Sequence, residues 1–209
     1  LCYQNLGLSS YAISIFDLAE QTVELNYGVS HPMYATLLQN KSMFYGQITD
    51  FNSAIVYGEK ARDCMASIFG DKSVKYAVCL QNLGLFYIWA GRLTEAKENL
   101  LKAISILENE NDMHSIHAYT NLLNIYSHEK DWDNFDKTAK KCFAFVQENN
   151  LDNTDLAASL AGTVGYCLLL NGKAKAKDYL GYALDVTRKN GNDNSAEYFG
   201  GLVVYYLAS

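Results

Sequence analysis

Four histidines are the side chains best suited to metal or acid–base chemistry, because imidazole titrates near neutral pH and is a common metal ligand. His114 and His117 are spaced to share one helical face, and Asp112 is the nearest carboxylate. A metal site there would need further ligands. His128 lies 11 residues beyond His117, about 16 Å along a helix, so the two cannot share an ion. We therefore expect solvated or capping histidines, including His31 in a loop. The alternative is a metal site that uses His114 and His117 as ligands.

Five cysteines are scattered along the chain and never form a CxxC pair: Cys2, Cys64, Cys79, Cys142 and Cys167. This usage is typical of a reducing compartment, where cysteine serves as a small buried hydrophobe. The sequence therefore predicts buried cysteines and a cytoplasmic location.

Catalytic and cofactor-binding motifs are not evident. No sequence pattern pairs a catalytic nucleophile with a general base. No GxGxxG or P-loop pattern occurs, and Gly200-Gly201 does not follow a predicted strand. The basic run at residues 173–177 opens a predicted helix and is expected to face solvent, with contact to an anion or acidic partner as the alternative. We expect a non-catalytic protein without a cofactor.

Charge and hydropathy argue against two classes of partner. The net charge of -6 disfavours nucleic acid, since phosphate binding needs a basic surface. No stretch approaches the roughly 18 consecutive apolar residues of a membrane span. The expected partner is therefore neither nucleic acid nor a membrane.

A repeat organises these residues into elements. The segment from Tyr34 recurs from Tyr76, 42 residues later, so that Ala54 corresponds to Ala96; the next offset is 39. Such a period indicates stacked units that bury their apolar faces against neighbours. We expect one array over residues 1–209, with approximate units 1–30 (partial), 31–72, 73–113, 114–152, 153–192 and 193–209 (partial).

Each unit carries two helical patterns. Leu80, Leu83 and Tyr87 follow the 3.6-residue periodicity of one helix, and Ala96 and Leu100 that of the next. Small residues seven apart mark the faces where helices approach, but the fourth unit has Phe135 and Cys142 there. The sequence therefore predicts an all-α fold of eleven helices, splayed or rotated in the fourth unit.

The third unit carries the motif of a known family: Leu80-x-x-Leu83-Gly84-x-x-Tyr87, a turn glycine at Gly91, then Ala96 and Ala103. This resembles the tetratricopeptide repeat (TPR), and the 42-residue spacing with GVSHPMYATLLQN at residues 28–40 resembles the long repeats of kinesin light chains and many bacterial arrays. The resemblance implies a right-handed superhelical solenoid of antiparallel helix pairs. Lys41, Ser42 and Leu123 depart from the motif.

The resemblance also implies a concave groove lined by the first helix of each unit. The groove residues expected to bind a peptide are Gln39, Asn40, Met43, Gln81, Asn82, Leu85, Trp89, Asn121, Asn124, His128 and Tyr166. Asn40, Asn82 and Asn121 occupy the same place in three units, and a carboxamide can pair with both groups of a peptide bond. The alternative is that these asparagines bond to their own helix or to neighbouring units.

The groove residues include no Lys or Arg, which disfavours recognition of a terminal carboxylate and favours an internal, extended peptide. We therefore expect a scaffold that binds a protein or an extended peptide segment. The alternative is a sensor or substrate-recruiting segment of a larger enzyme or regulator, such as one with a CHAT-type protease or a kinase. The last predicted helix, at residues 198–208, is apolar around most of its circumference. A fragment of a longer protein, able to self-associate through this helix, is therefore expected.

Overall fold

The computed structural model describes residues 6–192 and 204–205. Within them the chain forms nine α-helices and no strand: α1 (Leu6–Tyr27), α2 (Pro32–Gln47), α3 (Phe51–Phe69), α4 (Val74–Trp89), α5 (Leu93–Asn109), α6 (His114–Glu129), α7 (Trp132–Glu148), α8 (Asp155–Leu170) and α9 (Ala176–Lys189). The all-α prediction is confirmed for this part of the chain. Of the eleven predicted helices, the two at the ends lie wholly or largely outside the described residues.

One residue with positive φ ends the turn within each helix pair: Thr49, Gly91, Lys130 and Gly172. A second series separates successive pairs: Gly28, Gly70, Asn111, Asn150 and Gly191. L-residues other than glycine pay a steric cost in this region of φ and ψ, so the backbone at Thr49 and Lys130 is strained. The period seen in the sequence is therefore the period of these turns.

Helix N-termini are capped by side chains that accept from backbone N–H groups. Asp50 accepts from Ser53, Ser73 from Tyr76 and Thr154 from Ala157. These caps satisfy donors that a helix leaves unpaired in its first turn. They fix where the helices begin and thereby which side chains each helix presents.

The chain divides into two compact units, Leu1–His114 and Ser115–Ser209. In the first, α2, α3, α4 and α5 pack in sequence around a core in which Ala35, Ala54, Ala96 and Ala103 are fully enclosed or nearly so. Gly84 brings α4 against α5, since a Cβ there would sit 2.7 Å from Cγ of Leu100. The small residues thus perform the packing role that their spacing predicts.

Lys41 and Ser42, which depart from the repeat motif, are both buried. Nζ of Lys41 lies 2.6 Å from Oδ1 of Asp17 and 2.6 Å from Oε2 of Glu20, and 4.2 Å from the ring centroid of Tyr57. Oγ of Ser42 donates to the carbonyl of Ala54 at 2.6 Å. Burial by itself would lower the pKa of Lys41, but the hydrogen bonds to Asp17 and Glu20 outweigh it and raise the pKa. These residues therefore tie α2 to α1 and α3 through polar contacts.

In the α6–α7 pair, large side chains stand where the α4–α5 pair has small ones. Leu123 stands on α6 where α4 has Gly84, and Phe135 stands on α7 where α5 has Ala96. Both Leu123 and Phe135 are buried. Two large buried side chains therefore meet in this pair, and its splayed or rotated packing stays a prediction.

Helices α8 and α9 pack closely at Gly165. A Cβ on Gly165 would lie 2.7 Å from Cγ of Leu180 and 3.1 Å from the carbonyl oxygen of Ala176. Gly162, one turn earlier on α8, faces only Cβ of Ala183 at 4.0 Å. Helix α8 therefore has one glycine without space for a Cβ, Gly165, and one with space for it, Gly162.

Alanine substitutions at these two glycines are expected to change stability in opposite directions. Gly165→Ala should lower the free energy of unfolding by about 1–3 kcal/mol through overpacking. Gly162→Ala should raise it by about 0.5–1 kcal/mol, because alanine favours the helix and meets no obstacle. Urea denaturation followed by circular dichroism measures both, and a stabilising Gly165→Ala would contradict the close approach of α8 and α9.

Candidate functional site

The first helices of the Leu1–His114 unit carry seven of the expected binding residues. We call them the α2/α4 face: Gln39, Asn40, Met43, Gln81, Asn82, Leu85 and Trp89. Asn40, Met43 and Trp89 are exposed, and the other four are half-buried. The face therefore offers amide and apolar groups to solvent, as the sequence predicts.

Trp89 is the largest apolar group of the α2/α4 face. Its ring lies 5.3 Å from that of Phe51 and 6.1 Å from that of Phe86. The side chain remains 49% exposed. Contacts on one side hold the ring in place while the other side stays open, which suits an aromatic anchor for a ligand.

Gln39 and Asn82 approach the same small gap at the junction of α2, α3 and α4, together with Ser42 and Gly58. Its volume of about 10 Å³ is too small for any ligand group. These two amides therefore form the floor of the α2/α4 face rather than a pocket in it.

Asn40, Asn82 and Asn121, which we call the asparagine row, have side chains without a hydrogen-bond partner within the described residues. Asn40, Asn82 and Asn121 form no side-chain hydrogen bond there, whereas Asn99 and Asn149 bond to carbonyls of their own helices at 2.8 and 2.9 Å. Oε1 of Gln81 is buried and also lacks a partner there. The alternative role, bonding to their own helix or to neighbouring units, is thus not observed in the described part of the chain.

In the Ser115–Ser209 unit, three expected residues line one cleft. Asn124, His128 and Tyr166 border a cleft of about 320 Å³ between α6 and α8, which we call the α6/α8 cleft. Oδ1 of Asn124 accepts from Sγ of Cys167 at 3.4 Å, so Asn124 also links the two helices. Asn121 does not line this cleft and is half-buried on α6.

Lys130 and Asn171 also line the α6/α8 cleft, and sequence reasoning missed both. The set of groove residues expected from the sequence contains no Lys or Arg, so Lys130 adds a cation that this set lacks. Both residues follow the ends of first helices, whereas the expected set was confined to the helices themselves. Nδ2 of Asn171 donates to Oγ of Ser127 at 3.3 Å and to the carbonyl of Cys167 at 2.9 Å. The positive φ of Lys130, 60°, was the feature that the sequence did not reveal.

The histidines have local structural roles or remain at the surface. Nδ1 of His31 accepts from the backbone N–H of Met33 at 3.2 Å, which makes His31 a capping residue as expected. Nδ1 of His114 lies 2.6 Å from Oδ1 of Asp112. Burial alone would raise the pKa of Asp112, but hydrogen bonds from the backbone and ring of His114 lower it. In the described part of the chain, no three His, Cys, Asp or Glu residues are grouped to hold a metal ion.

The cysteines in the described residues are free thiols. Cys79, Cys142 and Cys167 are buried, and Cys64 is half-buried. Burial raises the pKa of Cys79 to about 12. A thiol in this state is a poor nucleophile, because the reactive form is the thiolate.

The basic run at residues 173–177 does not open a helix as expected. Helix α9 begins at Ala176, so residues 173–175 form a turn. The turn between α8 and α9 covers residues 171–175 and is two residues longer than the turn between α4 and α5, residues 90–92. Ala174 stands in it at the place where α5 starts with Leu93. Lys173, Lys175 and Lys177 are exposed, as predicted, and Nζ of Lys173 lies 4.8 Å from the ring centroid of Trp132.

Among the described residues, no helix is long and apolar enough to cross a bilayer. No protein-family model and no curated protein sequence matches this chain.

Solved structures do resemble the chain. A Podosopora anserina kinesin-light-chain-type protein with nearly identical TPR-like repeats matches with a TM-score of 0.75 and 13% identity, covering 90% of this chain and 91% of its own. BtubC (BKLC) from P. vanneervenii matches with a TM-score of 0.74 and 18% identity, covering 90% of this chain and 76% of its own. At these identities the likeness shows the fold, which is a TPR-like helical repeat.

Proposed function

We propose that this protein is a non-catalytic scaffold that binds extended peptide segments of partner proteins through its first helices. TPR-like repeats generally serve as protein-interaction scaffolds. The observation that carries the proposal is the row of equivalent asparagines, Asn40, Asn82 and Asn121, whose amides form no hydrogen bond within the described residues. Polar groups in a folded protein are normally paired with protein or water, so these are free to pair with a ligand.

The chemistry of each face suggests what a peptide would offer. Carboxamides on the α2/α4 face would hold the peptide backbone, since each carries a donor and an acceptor. Met43, Leu85 and Trp89 would receive apolar side chains. At the α6/α8 cleft Lys130 lies near Tyr166, so an acidic side chain beside an apolar one is favoured there.

Two further features belong to the proposal. Buried thiols that form no disulfide, at Cys79, Cys142 and Cys167, support a reducing, cytoplasmic location. The apolar sequence at residues 198–208 supports self-association through this segment, of which the structure describes only residues 204–205.

Peptide selection followed by NMR mapping tests the proposal. A random peptide display library is selected on the folded protein, and the best peptide is titrated into ¹⁵N-labelled protein. We expect the side-chain amide signals of Asn40 and Asn82 to shift on binding, while those of Asn99 and Asn149 stay in place. Selected peptides that perturb only second-helix residues, or no enrichment over a washed control, would overturn the proposal.

A further inference from the structure

A second cavity lies away from the α6/α8 cleft, among α7, α8 and the turn that precedes α9. It encloses about 290 Å³. Its walls are apolar and aromatic, formed chiefly by Trp132, Phe135, Leu168 and Tyr179. Pockets that bind small molecules have this composition, and the volume lies near the lower end of their range.

The cavity exists because one large side chain is missing from the repeat. The second residue after the positive-φ turn position is the first residue of the next helix: Phe51 of α3, Leu93 of α5 and Trp132 of α7. After Gly172 the corresponding residue is Ala174. Helix α9 also begins two residues later in the repeat, at Ala176. The space that an apolar side chain fills in the other units therefore stays open in this one.

The mouth of the cavity is positively charged although the chain as a whole carries a net charge of -6. Lys140, Lys173 and Lys175 line it, against one carboxylate, Asp136. None of the three lysines forms an ion pair within the described residues. Charges of one sign gathered at an apolar cavity attract a ligand of the opposite sign.

The aromatic walls define the rest of the ligand. Trp132 packs edge-on to Phe135, with ring centroids 5.4 Å apart, and Tyr179 stacks on Phe143 at 5.5 Å. Rings held in this way present fixed surfaces on which a flat apolar group can pack. Lys173, above the Trp132 ring, is already positioned at the boundary between wall and mouth.

We propose that this cavity binds a small planar aromatic carboxylate, with its ring system among Trp132, Leu168 and Tyr179 and its carboxylate at Lys173 and Lys175. The ligand class follows from the juxtaposition of an aromatic cavity and ammonium groups that form no ion pair within the described residues. Charge-assisted hydrogen bonds from lysine orient the carboxylate outward. The site is separate from the peptide-binding faces and does not depend on them.

The test uses 2-naphthoate as the probe and 2-naphthylmethanol as its uncharged control. The chain has two tryptophans, and a Trp89→Phe variant assigns their two indole N–H signals. We expect 2-naphthoate to bind with a dissociation constant in the millimolar range or below. Its binding should shift the Trp132 signal and leave the Trp89 signal unchanged. The alcohol should bind at least tenfold more weakly. Equal binding of acid and alcohol, a shift confined to Trp89, or no shift at saturating probe would overturn the proposal.

Two variants separate the roles of charge and space. Lys173→Ala/Lys175→Ala should weaken 2-naphthoate binding about tenfold or more and leave the alcohol unaffected. Ala174→Leu should fill the cavity, abolish binding of both probes and raise Tm. If an acidic peptide bound at Trp132 while 2-naphthoate did not, the cavity would be a protein contact and the proposed ligand class would be wrong.

Discussion

Removing both counter-charges of Lys41, in Asp17→Asn/Glu20→Gln, is expected to lower the free energy of unfolding by about 3–5 kcal/mol. Lys41 is only 1% exposed, and its ammonium group lies 2.6 Å from each carboxylate. A buried charge without a partner costs the desolvation energy that the partner had offset. Glu20 is 19% exposed and Asp17 is 52% exposed, so Glu20 should account for the larger part. Urea denaturation followed by circular dichroism measures the loss.

A surface pair in the same unit provides the control. Arg92 and Glu95 form an exposed ion pair at 2.8 Å, and exposed pairs contribute little. Glu95→Gln should therefore leave stability almost unchanged. If the double variant at Asp17 and Glu20 were as stable as the unsubstituted protein, Lys41 would not be buried as the structure shows.

The same cluster predicts a pH dependence with a definite sign. The folded-state pKa of Lys41 is raised above its unfolded value of about 10.4. Its contribution is therefore fully present below pH 10 or so and is lost only as pH rises through the higher folded pKa. We expect the stability difference between the protein and its Lys41→Met variant to be the same at pH 7 and pH 9. A difference that disappeared by pH 9 would contradict the raised pKa.

Phe135→Ala is expected to cost about 3–5 kcal/mol, although alanine is the residue that the second and third units carry at this position. Phe135 is 1% exposed, so its ring is packed on all sides. Deleting its ring leaves a cavity that the neighbouring helices can close only in part. Thermal and urea denaturation of the variant measure the cost.

The reciprocal substitution tests the same explanation from the other side. Ala96→Phe places the larger ring where α4 and α5 are close, and overpacking should destabilise that pair by about 1–3 kcal/mol. Both changes should therefore be unfavourable. If Phe135→Ala were tolerated with a loss under about 1 kcal/mol, the Phe135 ring would not be packed in the core as its burial indicates.

The fold could be derived from the sequence because two signals agree. Apolar residues at helical spacing give the helices, and the 42-residue recurrence of small residues such as Ala54 and Ala96 gives their packing. A hydroxyl before an apolar run is likewise a local signal of a helix start, and Ser73 and Thr154 act as N-caps in this way. These features depend on near neighbours in the chain.

The residues that the sequence did not explain depend on distant partners or on local backbone geometry. No local sequence pattern identifies Asp17 and Glu20, on the preceding helix, as the ion-pair partners of Lys41. Lys130 lines the α6/α8 cleft with a positive φ that glycine adopts in other turns, and the sequence gives no local signal for it. Helix α9 begins at Ala176, after a turn in which Ala174 replaces the large apolar residue of the other units.

The affinity of Asn40→Ala/Asn82→Ala for a selected peptide tests the central claim most directly, measured by calorimetry alongside Tm. Each hydrogen bond to a ligand is worth on the order of 1 kcal/mol, so the double variant should bind about tenfold more weakly or worse with Tm nearly unchanged. Asn99→Ala, on the second helix α5, should leave affinity unchanged because Asn99 bonds to its own helix. Unchanged affinity in the double variant together with a large fall in Tm would show that the asparagine row is structural, and would contradict the account.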